Sequence, residues 1–504
     1  MRSRLMPPVW LTPPRLLIGL ITLVALALFG AGSYKYAYWG FGFDMVDFHM
    51  PIWGTLQGHF LLVSRYNFTD TFMGLDVALG FLPALPFYAL LPSAYTLLAL
   101  QALLLASAAL PVYLIASNQL KDPWFGVACA ALYLLYPTTQ FVGMAAPFQP
   151  RIPGLVALLW AFWMLEQRRF WPYLLLLGLA MLTRTDAALV VVAFGIYAAL
   201  RCLPWRYALV PLLLGLVYFY VAITYVTPQF STTSFTPTQG EVPFDLNRDY
   251  NDRWPCGVSP QACYYMHLGG NLPSIMRNIL THPVEIFTFI TQPAKLWYLF
   301  LMLGGLLLLP LFAPRELLLA APIFAINLLS NRVYQYVITE QYQILAIPGL
   351  TIAAIYGAAW LLKQSGRRWS YQARPLIYLG ALLLLLLVNL PLRNPIISAI
   401  RNPEQPERVA IMERMKAQIP PDATVAATSF LAPQLLPRME LYFIPGGPMH
   451  HQPTEAAYAF IDARAAGLRA EAARGNDILA NLLASPAWEL LDQEDDLFLL
   501  RKKE

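Results

Sequence analysis

Of the 504 residues, 58% are hydrophobic and only 12% charged, against roughly a quarter charged in an ordinary soluble domain. With a mean hydropathy of +0.51 and Leu-rich runs separated by short basic connectors, the chain reads as an α-helical polytopic membrane protein and not as a soluble globule. The net charge of +5 sits in short loops beside apolar runs, a pattern of membrane topology that leaves no basic patch for nucleic acid.

Arg2, Arg4 and Arg15 precede an apolar run from Leu16 to about Tyr34, too long for a signal-peptide core and without a cleavage site. It is expected to be an uncleaved first span with its N-terminus in the cytoplasm. The outer loop 39–75 follows, with FGFDMVDFHMPIWGTLQGHF, whose aromatic and acidic mixture predicts helices lying at the interface, anchored by Trp39 and Trp53. Residues 76–92 are interrupted by Pro83 and Pro86 and read as a re-entrant or interfacial segment. Further spans are expected at 96–117, 124–141, 151–166, 172–183, 186–201, 205–227, 294–313, 316–330, 343–363 and 375–391.

Charge fixes the number of crossings. If 76–92 does not cross, Lys121, Arg168, Arg169, Arg201, Arg206, Arg315, Lys363, Arg367, Arg368 and Arg374 all face the cytoplasm. That gives about 11 crossings with the C-terminus outside, in the inner (plasma) membrane. All six histidines, His49, His59, His267, His282, His450 and His451, and every aspartate except Asp122 then fall on the outer side or at outer span ends. The working face is therefore expected to be extracytoplasmic, the alternative being that longer outer loops simply collect polar residues.

A second outer loop, 228–292, opens with TPQFSTTSFTPTQGEVP and holds CGVSPQAC. Outside the cytoplasm a disulfide between Cys256 and Cys263 is chemically permitted, the alternative being two unrelated thiols. Cys129 and Cys202 lie in or beside apolar spans. After Arg393 hydrophobicity falls, and ERVAIMERMKAQI, TVAAT, ELYFIP, AYAFID and WELLDQEDDLFLLRKK alternate helical and strand-like character. The organisation expected is a multi-spanning membrane domain over 1–392 and a small extracytoplasmic α/β domain over 393–504, about 110 residues.

Three constellations could carry chemistry. Asp44 and Asp47 are spaced i, i+3 and share a face if helical. A carboxylate where lipid meets water is costly unless used, and it can take a proton from an acceptor hydroxyl or bind a divalent cation. The alternative is a solvated, helix-capping pair. His49 and His59 show no ligand spacing with them. Arg184 and Asp186 in LTRTDAAL lie between two short apolar helices. Arg184 there suits a lipid phosphate or diphosphate, with Asp186 orienting it or capping the next helix; the alternative is a structural ion pair closing the hairpin. Arg151 in APFQPRIP, Arg332 in SNRVYQY and Glu340 with Gln341 in ITEQYQ each stand at an outer helix end. Singly they read as snorkelling or capping residues, and together as the lining of one outward-facing cleft.

The chain has no Walker A loop, dinucleotide fingerprint, HExxH or GxSxG. The NFT at Asn67 matches a glycosylation acceptor only formally. Span centres are nearly free of ionisable groups, which argues against an ion-coupled pump.

The runs FDMVDFHMPIWGTLQG (43–58) and LPSAYTLLALQALLLASAALPVYLIA (91–116), the TRTDAALVVVAFGIYAAL hairpin, the stretch 271–330 and IPPDATVAATSFLAPQL resemble the bacterial membrane protein family named for the domain of unknown function twenty seventy-nine. Asp44, Trp53 and Gly58 match its first-loop pattern, and Arg184 and Asp186 its basic-X-acidic turn, with Thr185 where an acid is usual. Gly80, Gln149 and Gln341 stand where histidines are usual, and Met50 where a glutamine is. In layout the chain is similar to the GT-C glycosyltransferases, which take sugars from polyprenyl-phosphate donors and use an acid on the first outer loop.

This resemblance implies a GT-C-like fold and transfer of a sugar from a polyprenyl-phosphate donor to an extracytoplasmic acceptor. Asp44 would be the base, with Asp47 as helper, and Arg184, Arg151 or Arg332 would neutralise the lipid phosphate. Asp186, Glu340, Gln341 and Trp53 would line the substrate site. Membrane lipid is the other expected partner, and a divalent cation the only cofactor open for the acidic pair. The alternative reading is a non-catalytic lipid-linked glycan binding, export or membrane assembly protein.

Overall fold

The computed structural model describes residues 12–64, 69–230, 244–246, 264–365, 374–389, 394–401, 403–444, 453–464 and 469–503. Cys256, Cys263, His450, His451, Asn67, Arg2, Arg4, Arg367, Arg368 and Arg393 lie outside them. Most of the described chain is helical. Helix α1, Pro13–Ala37, starts on two prolines, whose fixed φ and missing N–H suit a helix's first turn. After a turn in which Trp39 takes a positive φ, α2 runs Asp44–Leu56, with Asp44 and Asp47 in its first turn, where the helix dipole favours negative charge.

Among the described residues, four helices are long and apolar enough to cross a membrane: α1, Ala94–Leu120, Trp205–Phe230 and Ile344–Gln364. Two bent pairs raise this to 6: Pro123–Leu135 with Pro137–Ala145, bent by 46°, and Pro283–Ile290 with Pro293–Gly304, bent by 61°. Each break carries a proline at the start of its second half, where the missing N–H interrupts the helical ladder. The helices Phe170–Met181 and Ala187–Leu200 have 12 and 14 residues. At about 1.5 Å per residue they reach roughly 18–21 Å, short of a bilayer core of about 30 Å. The count of about 11 drawn from charge therefore exceeds what helix length alone supports. The segment Leu79–Leu90 folds as a 3₁₀ turn followed by a short apolar helix, broken at its prolines.

The sheet near the C-terminus has five strands: β1 (Val425–Thr428), β2 (Leu441–Ile444), β3 (Tyr458–Asp462), β4 (Trp488–Glu494) and β5 (Leu497–Lys502). Their order is β2-β1-β3-β5-β4. β1 lies parallel to β2 and β3, while β5 lies antiparallel to β3 and β4. Asp495 and Asp496 take positive φ between β4 and β5, the conformation of a two-residue hairpin turn. The sequence expectation of one strand-like piece there is resolved into two paired strands.

The core of this sheet is shared. Trp39, Phe43, Val46, Met50 and Leu62 from the segment after α1 pack with Met412, Met415, Val425, Leu441, Phe460 and Leu499. The opposite side of α2, through Phe48 and Ile52, packs on Phe72 and Phe81. Thus α2 is held between the helical body and the sheet.

Candidate functional site

Asp44 opens α2 with an exposed side chain. Protein nevertheless closes around it: this crowding pushes its carboxyl above the usual range, and Arg332 pulls it down. Arg332 comes from the loop after the helix Ala321–Leu329 and is caged by aromatic rings. Its guanidinium lies 4.7 Å from the ring centre of Tyr264, 5.5 Å from Tyr334 and 5.6 Å from Tyr342. It also donates to the Tyr264 hydroxyl. Three rings hold this cation in place through cation–π contacts.

Glu340 follows in the same loop. Burial first and the charge of Asp44 second push its carboxyl up to about 7, against Arg332 and Lys35. Lys35, in the last turn of α1, donates to the Met144 carbonyl at 3.0 Å. Asp44 thus interacts with Arg332 and Glu340, which share one loop far from it in the chain.

A second set of charges packs beside them. Arg151 grips one oxygen of Asp186 with Nε at 3.1 Å and Nη2 at 2.7 Å. Arg184 Nη2 meets Asp76 at 2.5 Å, with both side chains buried. Thr185 donates to Asp76 from its amide at 3.0 Å and also from its hydroxyl. The expected partnership of Arg184 with Asp186 is therefore exchanged: each pairs with a residue from another segment. Nor does the Asp186 side chain cap the helix that follows it. The turn brings its charges to two neighbours because Leu79 N–H donates to Leu182 C=O at 2.8 Å, fastening the Asp76 segment against it. Tyr342 links the two sets, its ring centre lying 5.8 Å from the Arg151 guanidinium.

Asp76, Lys35, Tyr264, Tyr334 and Tyr342 were not anticipated. For Asp76 a signal existed, a lone acid inside MGLDVALG, the kind of costly placement that marks a pairing. The tyrosines carry none, because aromatic residues at span ends are ordinary.

The remaining expected residues are distributed as follows. Asp47 shares the first turn of α2 with Asp44 but accepts from Ser64 Oγ at 2.8 Å, turned towards its own loop. Trp53 is half-buried and packs against both apolar clusters that hold α2. Gln341 is half-buried beside Glu340. Gln149 is buried, and its amide N–H donates to Gln101 Oε1 at 2.9 Å. Gly80 lies so close to Pro150 that a Cβ would collide with the Pro150 carbonyl. His49 is buried, with Nε2 2.6 Å from the Tyr88 hydroxyl. Among the described residues, no three His, Cys, Asp or Glu side chains gather as a metal ion would require.

Residues 38–499 match the family described as "Predicted membrane protein (DUF2079)". The chain belongs to this family. No curated protein matches it. Among solved structures, it is similar to ArnT from Cupriavidus metallidurans bound to undecaprenyl phosphate, with TM-score 0.46 and 12% identity over 96% of this chain and 97% of that one. It is also similar to the oligosaccharyltransferase of Archaeoglobus fulgidus in the apo form, with TM-score 0.44 and 12% identity over 88% of this chain and 65% of that one. A third is AglB from Archaeoglobus fulgidus in complex with an inhibitory peptide and a dolichol-phosphate, with TM-score 0.44 and 11% identity over 89% and 69%.

Proposed function

We propose that this family member is a GT-C-type membrane glycosyltransferase that moves a sugar from a polyprenyl-phosphate donor to an extracytoplasmic acceptor. In this reading it crosses the inner membrane about 11 times, with its N-terminus in the cytoplasm. It divides into a membrane domain over 1–392 and an outer domain over 393–504. The acceptor hydroxyl attacks the anomeric carbon and its proton passes to Asp44. The bond from that carbon to the phosphate oxygen breaks, and polyprenyl phosphate leaves with the bonding pair. Arg332 stabilises the charge developing on that phosphate, with Arg151 and Arg184 behind it. Glu340 takes the helper's part first expected of Asp47, because it is the carboxyl that shares the field of Asp44. Gln341 completes the acidic end of the donor pocket.

The observation that carries this reading is the exposed Asp44 carboxyl, which feels the charge of the ring-caged Arg332 and in turn acts on Glu340. The charge balance supports it. Lys35, Arg151, Arg184 and Arg332 meet Asp44, Asp76, Asp186 and Glu340. Burial and the charge of Asp44 push the Glu340 carboxyl up to about 7, which lessens the negative charge set against a phosphodiester carrying one. The test is Asp44→Asn in detergent-purified protein, followed by loss of label from a set of polyprenyl-phosphate sugars. Transfer is expected to vanish with the melting midpoint unchanged, and a fully active variant overturns the assignment.

A second reading, a lipid-linked glycan binding or export protein without chemistry, is favoured by Gly80, Gln149 and Gln341. The contact of Gly80 with Pro150 leaves no room for a side chain there. Saturable binding of the lipid without turnover would select it.

A further inference from the structure

We propose that Ser429 is a positioning residue for Asp44, so that the C-terminal sheet sets the geometry around that carboxyl. This rests on the reading above in which Asp44 does the chemistry. Helix α2 has a defective start. Its N-cap residue is Phe43, whose side chain cannot accept a hydrogen bond, and no side-chain cap forms. In a capping box, a side chain three residues on reaches back to the N-cap amide. Here Ser429, 386 residues away, takes that part: its Oγ accepts from Phe43 N–H at 3.1 Å.

Three further observations show that the contact is built. A Cβ on Gly42 would stand 3.2 Å from Ser429 Oγ, so any side chain there would press on the hydroxyl. The Phe43 ring packs on Phe443 with centroids 4.6 Å apart. Flanking bonds tie the preceding turn to the same unit: Trp39 Nε1 donates to Glu413 Oε1 at 3.2 Å, and Gln434 Nε2 donates to the Tyr36 carbonyl at 2.5 Å. Ser429 follows β1 directly, at the carboxyl end of a strand paired in parallel on both sides. In open α/β sheets that edge is where ligands bind; in this chain it receives the residue that precedes Asp44.

The test compares Ser429→Ala and Ser429→Thr with the full-length wild type in detergent. Three quantities are read: sugar release from the polyprenyl-phosphate set against pH, water-soluble carbodiimide labelling of Asp44 by peptide mass spectrometry, and the melting midpoint. Ser429→Ala is expected to lower kcat about tenfold to a hundredfold, as small misplacements of a reacting group do. It is also expected to shift the pH profile and change Asp44 labelling, with Thr restoring all three. Wild-type turnover and labelling in Ser429→Ala, beside an inactive Asp44→Asn, would overturn the inference and leave the glycosyltransferase reading intact. An active Asp44→Asn would defeat that reading and with it any catalytic role for Ser429, while the labelling would still decide whether Ser429 positions Asp44. A fall in midpoint that accounts for the lost activity, with Asp44 labelling unchanged, would also overturn it.

Discussion

Glu340 gives the site a pH dependence that can be worked out in advance. Burial and the neighbouring Asp44 raise its carboxyl from an ordinary 4.5 to about 7, and at about 1.4 kcal/mol per pH unit that interval is worth about 3 kcal/mol. Below pH 4.5 the side chain is protonated in folded and unfolded chains alike and adds no pH dependence. Between 4.5 and about 7 the unfolded chain has lost the proton and the folded one keeps it, so stability falls as pH rises. Above about 7 both are ionised and the full penalty is present. Glu340→Gln removes the titration. Its melting midpoint in detergent should match the wild type near pH 4.5 and exceed it by a few degrees at pH 8, with a flatter curve between. Curves that run parallel from pH 5 to pH 8 would refute the argument, since they would mean that Glu340 titrates alike in both states.

Asp76→Ala should be among the most destabilising single changes in the described chain. It strips the acceptor from Arg184 and Thr185 where the paired side chains are 8% and 2% exposed, and breaking such a pair costs about 3–5 kcal/mol. Glu489→Ala, which breaks the surface pair with Arg501, should cost about 0–1 kcal/mol; equal midpoint shifts for the two would contradict this. Asp47→Asn should keep transfer within about tenfold of wild type, the worth of one hydrogen bond to Ser64. A loss as deep as that of Asp44→Asn would return Asp47 to the chemistry.

Much of the helical organisation was legible because each segment carries its own evidence. Apolar runs, their flanking charges and the prolines at their ends are local, and the structure's long helices fall where those runs lie. The strands were legible for the same reason, down to TVAAT and AYAFID. Reading spans from apolar runs and charge went further than helix length allows. The runs at 172–183 and 186–201 fold as short helices that bury one face in the bundle core and leave Trp171, Leu175, Leu179, Ile196 and Leu200 exposed. Hydrophobicity records that a residue is buried without recording whether lipid or protein buries it.

The site divides along the same line. Asp44, Arg184, Asp186, Arg151, Arg332 and Glu340 could be singled out in sequence because an ionisable side chain beside an apolar run is expensive wherever it goes. What sequence could not supply is who meets whom. Arg184 and Asp186 are two residues apart, yet they pair with Asp76 and Arg151, about 100 and 35 positions away. The α2 amide is met by Ser429 from beyond the last helix of the body. The amino-acid sequence by itself determined the apolar helices, the polar residues that had to be used and the strands of the tail, since these follow from short-range periodicity and transfer energies. Only the tertiary structure decided the ion-pair partners, the separation of Asp44 from Asp47 and the docking of the sheet on α2, since those depend on contacts between segments that no local pattern encodes.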